Sequence, residues 1–259
     1  MNAPTPPELD VRQQDGVLWL TLCRESRRNA LSPGVLAGLT EALTRARGDR
    51  GLRAIVLTGA GDKAFCAGAD LQTGQSFKFD YSEPRQGFAD LFRAARATHV
   101  PLLARVNGVC MAGGMGLLAM CDLAVAAPHA RFGLPEVKIG VFPAQVLSVL
   151  QGLVGRRMLT ELCITGEPID AGEALACGLV NRVSADLDAG VQALLARLLD
   201  KSPAAIRRGL YLMKHVEGMP FEQSMAFTES QIGLFALTED AAEGQSAFRE
   251  KRPPTWSGR

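Results

Sequence analysis

The glycine-rich stretch from Val106 to Glu136 constrains this chain most, because it combines a helix start made of small residues with a lone acid further on. A short apolar run is broken at 107–108, and small residues from Ala112 to Gly116 open a second apolar run. This order predicts a strand, a turn and a helix. The first N–H groups of such a helix are uncovered and suit an anion or a developing oxyanion. Close helix packing explains the same glycines, so this stretch alone leaves both interpretations open.

Composition excludes several classes of partner. The chain has 259 residues, of which 47% are hydrophobic, enough for a sizeable core. Its 28 basic and 27 acidic residues give a net charge of +1, so no strong field indicates nucleic acid or an anionic membrane as a partner. The six cysteines form no C-x-x-C pair, and the first residues lack the regions of a signal peptide. We therefore expect reduced thiols, a cytoplasmic location and no membrane span.

The order of elements predicts an α/β fold. Asp15-Gly16 between two short apolar runs predicts a hairpin, Ser32-Pro33 predicts a helix start, and the continuous apolar run at 53–58 predicts a buried strand. Strands alternating with helices are typical of an α/β core. From position 186 onward the pattern is helical. We expect a catalytic core over 1–200, which includes the first of these helices, and a C-terminal helical region over 201–259. The apolar excess of that region indicates oligomerisation.

Other constellations are weak. Gly59, Gly61 and Ala64 fit a dinucleotide fingerprint in spacing, but no helix or suitably placed acid follows them. The histidines share no metal-ligand spacing with one another or with the cysteines, and neither a G-x-S-x-G elbow nor a Walker loop occurs. We therefore expect no metal. The polar loop 72–85 is a candidate cover for a substrate.

Two segments, KAFCAGADL (63–71) and NGVCMAGGMGLLAMCDLAVAAPHARFGLPEVKIG (107–140), resemble the crotonase superfamily of enoyl-CoA hydratases and isomerases. Supporting matches at 28–31, 165–183 and 248–259 extend the likeness over nearly the whole chain. The resemblance implies a crotonase-like spiral of ββα turns with a C-terminal helical trimerisation region. It also implies an acyl-CoA thioester as ligand, no cofactor beyond the coenzyme A of the substrate, and a homotrimer or dimer of trimers.

The resemblance also implies roles for single residues. The two oxyanion-hole N–H groups fall on Ala69 and Gly113, and the catalytic carboxylate falls on Glu136. Developing charge on the thioester oxygen would be stabilised by these fixed donors. Lys251 is implied to reach the nucleotide of the ligand from a neighbouring subunit. The residues implied to line the substrate or coenzyme A are Lys63, Ala67, Gly68, Asp70, Leu71, Gln72, Gly114, Gly116 and Lys251.

One position departs from the family pattern. Hydratases of this family hold water between two glutamates, but here Glu136 is present and Gly116 occupies the other position. A single glutamate resembles the family's isomerases, in which one carboxylate moves a proton between two carbons. Leu134 and Val137 should raise the pKa of Glu136. Isomerisation is therefore favoured, with hydration close behind. A coenzyme-A-thioester-binding protein without catalysis and an acyl-CoA decarboxylase or thioesterase stay open.

Overall fold

The computed structural model describes residues 7–71, 82 and 86–259. In these ranges the strands are β1 (Leu9–Gln14), β2 (Val17–Leu22), β3 (Ala54–Gly59), β4 (Ala64–Cys66), β5 (Leu102–Val106), β6 (Val109–Met111), β7 (Leu123–Ala126), β8 (Arg131–Gly133), β9 (Ile169–Asp170) and β10 (Arg182–Val183). The α-helices are α1 (Pro33–Ala46), α2 (Gly87–Ala97), α3 (Gly113–Ala119), α4 (Ala144–Leu150), α5 (Arg156–Thr165), α6 (Ala171–Ala176), α7 (Leu187–Leu199), α8 (Pro203–Val216), α9 (Phe221–Ala236) and α10 (Glu239–Glu250).

The strands form two sheets that the chain visits in turn. The larger sheet has the order β1-β2-β3-β5-β7-β10, and the smaller one has the order β4-β6-β8-β9. The hairpin β1–β2 belongs wholly to the larger sheet, and the next three pairs, β3 then β4, β5 then β6, and β7 then β8, each give one strand to the larger sheet and the next to the smaller sheet. Helix α2 follows the first of these pairs and α3 the second. The expected spiral of ββα turns is confirmed.

Local sequence explains the first elements. The Asp15-Gly16 pair joins β1 to β2 in an antiparallel hairpin, and both turn residues have positive φ, which Gly adopts freely and Asp tolerates. Ser32 caps α1 by accepting a hydrogen bond from the N–H of Val35 at 3.1 Å. All six residues of β3 are buried, as expected for a parallel strand covered on both faces. The hairpin, α1 and β3 confirm the sequence predictions.

The C-terminal helices α8, α9 and α10 confirm the predicted helical pattern after position 186. Helix α9 has no buried residue, and Phe221 and Ile232 are 72% and 70% exposed. Leu237 and Phe248 are exposed even further. Throughout the described ranges, no helix combines the length and apolarity needed to cross a membrane. Large apolar side chains of this helical region are therefore exposed in the single chain.

Candidate active site

The first part of the site is the turn that follows β4. The Leu31 N–H donates to the Gly68 carbonyl at 2.7 Å, and the Asp70 N–H donates to the Leu31 carbonyl at 3.1 Å. These two bonds form a parallel bridge between Leu31 and Ala69. In a parallel bridge, the residue between the two bonded ones, here Ala69, directs its own N–H away from the partner strand. The N–H of Ala69 therefore faces away from Leu31, and Ala69 is exposed between buried Gly68 and Asp70.

The second part is the turn between β6 and α3. Gly113 is the first residue of α3, so its N–H has no acceptor within the helix. Ala112 precedes it with φ of 51° and ψ of −120°, a conformation that costs a non-glycine residue on the order of 1–3 kcal/mol. A Cβ atom on Gly68 would lie 2.7 Å from the Cβ of Ala112 and 3.2 Å from the Gly113 nitrogen. The two turns are therefore in van der Waals contact, and only glycine at 68 permits it.

Glu136 lies in a 3₁₀ turn, Pro135–Ile139, after β8. Strand β8 pairs in parallel with β6, and the Ala112 N–H donates to the Gly133 carbonyl at 2.9 Å, so this segment is tied to the second turn. The Oε2 atom of Glu136 is buried and has no hydrogen-bond partner within the described ranges. Desolvation by burial raises the pKa of Glu136, as its apolar flanks predict. The segment therefore presents a half-buried carboxylate suited to proton transfer.

Helix α5 contributes a thiol to the surroundings of Glu136. The thiol of Cys163 is buried, and its pKa is raised by burial and then by the negative charge of Glu136. A neighbouring group that stays neutral neither pairs with the carboxylate nor repels it. Cys163 therefore adds no charge beside Glu136.

Aromatic side chains fill the space beside Gly116, the position that departs from the family pattern. A Cβ atom on Gly116 would lie 2.6 Å from Cζ of Phe92 and 3.2 Å from Cζ of Phe88. The two rings contact each other with centroids 4.6 Å apart. A Cβ atom on Gly113 would lie 3.3 Å from the same Phe88 atom, so this aromatic pair also borders the second turn. Carbon atoms thus occupy the space in which a longer side chain at 116 would extend.

The remaining residues that the resemblance assigns to the ligand lie in different surroundings. Gly114 packs on β4, because a Cβ atom there would lie 2.2 Å from the Cys66 carbonyl oxygen. The Ala67 N–H donates to the Arg28 carbonyl at 3.1 Å. The carboxylate of Asp70 is buried and pairs with Arg24 at 2.6 Å. Ala67 and Asp70 are therefore held by the segment after β2, and Gly114 is held against the smaller sheet.

The last four residues of the predicted site, Lys63, Leu71, Gln72 and Lys251, do not form one cluster in the described ranges. Lys63 and Leu71 are exposed on either side of β4. Gln72 lies outside the described residues. Lys251 is exposed and ends α10, where its N–H donates to the Phe248 carbonyl at 3.3 Å. The structure thus gathers Gly68, Ala69 and Gly113 closely, and Lys251 belongs to the C-terminal helices.

Sequence reasoning missed three contributors to the site, Arg24, Phe88 and Phe92. Arg24 holds the first turn, but its partner Asp70 is 46 residues away and no local pattern signals the pair. Phe88 and Phe92 have the spacing of an apolar helix face, and they follow the polar loop 72–85, the candidate substrate cover, which lies outside the described residues apart from Ser82. Apolar spacing alone does not tell which aromatic side chains of a helix line a pocket, although pockets are lined mainly by apolar and aromatic residues.

Comparison with known proteins finds one family match and several similar enzymes and structures. The profile of the family described as Enoyl-CoA hydratase/isomerase matches residues 12–259. The 2,3-dehydroadipyl-CoA hydratase of Escherichia coli (strain K12) is 34% identical over 97% of this chain and 99% of its own. The crotonyl-CoA hydratase of Syntrophomonas wolfei is 33% identical over 94% and 95%. The crystal structure of a Mycobacterium smegmatis enoyl-CoA hydratase superposes with a TM-score of 0.88 at 36% identity, covering 96% of this chain and 99% of that one.

Proposed function

The chain belongs to the enoyl-CoA hydratase/isomerase family, and we propose that it stabilises a thioester enolate with the N–H groups of Ala69 and Gly113 while Glu136 alone moves the proton. One observation carries this proposal: the space beside Gly116 is filled by Phe88 and Phe92, whereas Glu136 keeps a buried oxygen without a partner among the described residues. A second carboxylate is thus absent at 116, and apolar atoms stand in its place.

Double-bond isomerisation fits this arrangement best. The Glu136 carboxylate takes a proton from the α carbon of a β,γ-unsaturated thioester, and the electron pair spreads onto the thioester oxygen. The two N–H donors stabilise that charge, each contributing about 3 kcal/mol to lowering the barrier. The protonated carboxyl then returns the proton to the γ carbon, and the double bond becomes conjugated. The reaction needs no cofactor apart from the coenzyme A of the substrate.

Hydration is the second candidate. The relatives from Escherichia coli and Syntrophomonas wolfei are both named hydratases, which favours the addition of water to a conjugated enoyl-CoA. In that case Glu136 would activate water without a second carboxylate. Mass spectrometry of the product separates the two reactions, because hydration adds one water molecule and isomerisation leaves the mass unchanged. In deuterated water, hydration should place deuterium at the α carbon, whereas any deuterium taken up during isomerisation should lie at the γ carbon.

Ligand class is the first test of the proposal. We expect acyl-CoA thioesters to bind and NAD not to bind, because Ala64 in the Gly59 to Ala64 pattern begins a strand, where a dinucleotide needs a helix. Isothermal titration calorimetry with crotonyl-CoA, free coenzyme A and NAD measures this directly. Tight NAD binding without any heat from the thioester would contradict the proposed function. Thioester binding without turnover of any enoyl-CoA would favour a binding protein over an enzyme.

The pH dependence of the rate should report Glu136. Its pKa is raised because burial disfavours the charged form. The reaction starts from the carboxylate, so kcat/KM should fall as pH decreases through this raised pKa, at a higher pH than an ordinary glutamate would give. Protonation of Glu136 favours the folded state, a contribution that is fully present below the pKa of the unfolded chain and lost as pH rises through the raised pKa. Titration of Glu136 by acid should therefore lower activity without destabilising the fold. Rate profiles with parallel circular dichroism check this expectation, and loss of activity that merely follows unfolding would contradict it.

The C-terminal helices are proposed as the assembly surface. The exposed apolar residues of region 201–259, among them Phe221, Ile232 and Leu237, fit burial against other subunits in a trimer or a dimer of trimers. Sedimentation velocity should then show a trimer or hexamer at micromolar concentration. The variant Ile232→Glu should weaken assembly without lowering the melting temperature of the single chain, because Ile232 is 70% exposed there. A monomeric wild type would contradict this proposal and the cross-subunit role of Lys251.

A further inference from the structure

A single guanidinium holds both sides of the bridge that orients Ala69. Nη1 of Arg24 donates to the Ala30 carbonyl at 2.6 Å, and Nη2 of Arg24 pairs with Oδ2 of Asp70 at 2.6 Å. Ala30 precedes Leu31, and Asp70 follows Ala69, so the two bonds span the pair that forms the bridge. The position of Ala69 relative to Leu31 is therefore supported by the Arg24 side chain in addition to the two backbone bonds of the bridge.

The rest of the network fixes Arg24 itself. Its Nε pairs with Glu8 at 2.7 Å, and the other oxygen of Glu8 accepts a hydrogen bond from Ser32, the cap of α1. The backbone N–H of Arg24 also donates to Oδ1 of Asn29 at 3.1 Å, which fixes the main chain at Arg24. The side chains of Arg24 and Asp70 are 12% and 6% exposed, so water competes little with their contact. The guanidinium is thus held in one orientation from several sides.

A planar fork is required for this arrangement. The guanidinium directs separate N–H groups at Ala30, Asp70 and Glu8, whereas a lysine ammonium is a point charge that cannot reproduce that geometry. Buried ion pairs of this kind add little net stability compared with well-packed apolar groups, because desolvation offsets their attraction. Their better-supported effect is to specify one geometry.

We propose that the Arg24–Asp70 pair is a positioning element that aims the Ala69 N–H at the thioester oxygen of the bound substrate. The proposal rests on the proposed function, because it assumes that Ala69 is an oxyanion donor. Neither side chain transfers a proton in this scheme. Arg24 and Asp70 act through the backbone of Ala69, and their loss leaves the donor in place but wrongly directed.

The test measures the thioester carbonyl itself. Butyryl-CoA labelled with ¹³C at the carbonyl is saturated, so it can be neither isomerised nor hydrated while it is bound. Two donors on its oxygen should shift the infrared carbonyl band to lower frequency in the wild type. In Asp70→Asn and Arg24→Met the band should move back toward that of the free thioester. With a turned-over enoyl-CoA, kcat should fall about 10- to 100-fold, part of the effect of losing a donor, with KM nearly unchanged.

Two further variants separate positioning from general loosening. Arg24→Lys keeps the charge but not the fork, so its band and kcat should be intermediate. Lys214→Met removes a similarly buried cation, which pairs with Asp122 at 3.2 Å outside the two turns. It should lower the melting temperature and leave the carbonyl band in place. A displaced band in Lys214→Met of the same size would show general loosening and overturn the proposal.

The outcomes distinguish a failure of the positioning role from a failure of the proposed function. If the wild type binds butyryl-CoA without any shift of the carbonyl band, the oxyanion hole is absent and the proposed function fails. If the wild type shows the shift and both Asp70→Asn and Arg24→Met keep it unchanged, the oxyanion hole stands and the positioning role is wrong. A shift in the wild type that is reduced in both variants and intermediate in Arg24→Lys supports the proposal.

Discussion

Replacing Glu136 with glutamine should lower turnover of an enoyl-CoA thioester about 10²- to 10⁴-fold while leaving its binding nearly unchanged. The amide keeps the shape of the side chain but cannot accept the proton from the α carbon. Because Oε2 of Glu136 is buried without a hydrogen-bond partner in the described ranges, the substitution breaks no hydrogen bond of that atom there. Steady-state kinetics and titration calorimetry on the same samples measure the two effects separately.

A nearby carboxylate supplies the control for this prediction. Glu167 is 72% exposed and pairs at 2.8 Å with Lys138, which lies in the same 3₁₀ turn as Glu136. Glu167→Gln therefore perturbs the same turn without touching the buried carboxylate, and its activity should stay near that of the wild type. Full activity of Glu136→Gln would mean that another group moves the proton. An equal loss in Glu167→Gln would mean that the turn, and not the carboxylate, determines the rate.

Elements with a local cause could be predicted from the sequence. The hairpin follows from Asp15-Gly16, which tolerates positive φ, and α1 follows from Ser32-Pro33, which caps and starts a helix. The buried strand β3 follows from its continuous apolar run. In each case the determining residues are neighbours in the chain, so a window of the sequence contains the whole cause.

The smaller sheet escaped prediction for a physical reason. Strands β4, β6 and β8 have three residues each, which is too short for a period of two to stand out from chance. Their pairing is set by the larger sheet, to which each is joined by a short connection. The glycines of the two turns were recognised, but the contact between Gly68 and Ala112 depends on this second sheet.

The side chains that complete the site depend on distant parts of the chain. The ion pair of Arg24 with Asp70 joins the segment after β2 to the segment after β4, so it depends on the packing of successive turns of the spiral, and neither residue is informative alone. The spacing of Phe88, Leu91, Phe92 and Ala95 on α2 is that of an apolar helix face, and Leu91 of this face is buried in the core. That Phe92 on this helix reaches Gly116 is a consequence of packing between helices, which the sequence period does not contain.

Introducing the absent carboxylate should first disturb the fold. In Gly116→Glu the new Cβ atom would lie 2.6 Å from Cζ of Phe92, which is closer than real contacts, so the ring pair must shift. Overpacking of this kind costs about 1–3 kcal/mol, and placing a carboxylate among aromatic rings adds a desolvation cost. Gly116→Ala is the matched control, because it has the same Cβ contact without the charge. Urea unfolding of the two variants separates the steric cost from the cost of burying the charge.

The double variant Gly116→Glu/Phe92→Ala tests whether the aromatic ring is what keeps the site to one carboxylate. Removing the ring opens the space that the new glutamate needs, so we expect the double variant to recover part of the stability lost in Gly116→Glu. Two carboxylates could then hold a water molecule across the double bond, and hydration should rise relative to isomerisation in mass-spectrometric product analysis. Phe92→Ala alone should lose stability through the cavity it leaves, without any gain in hydration. If the double variant is stable and its ratio of products equals that of the wild type, the residue at 116 does not select the reaction.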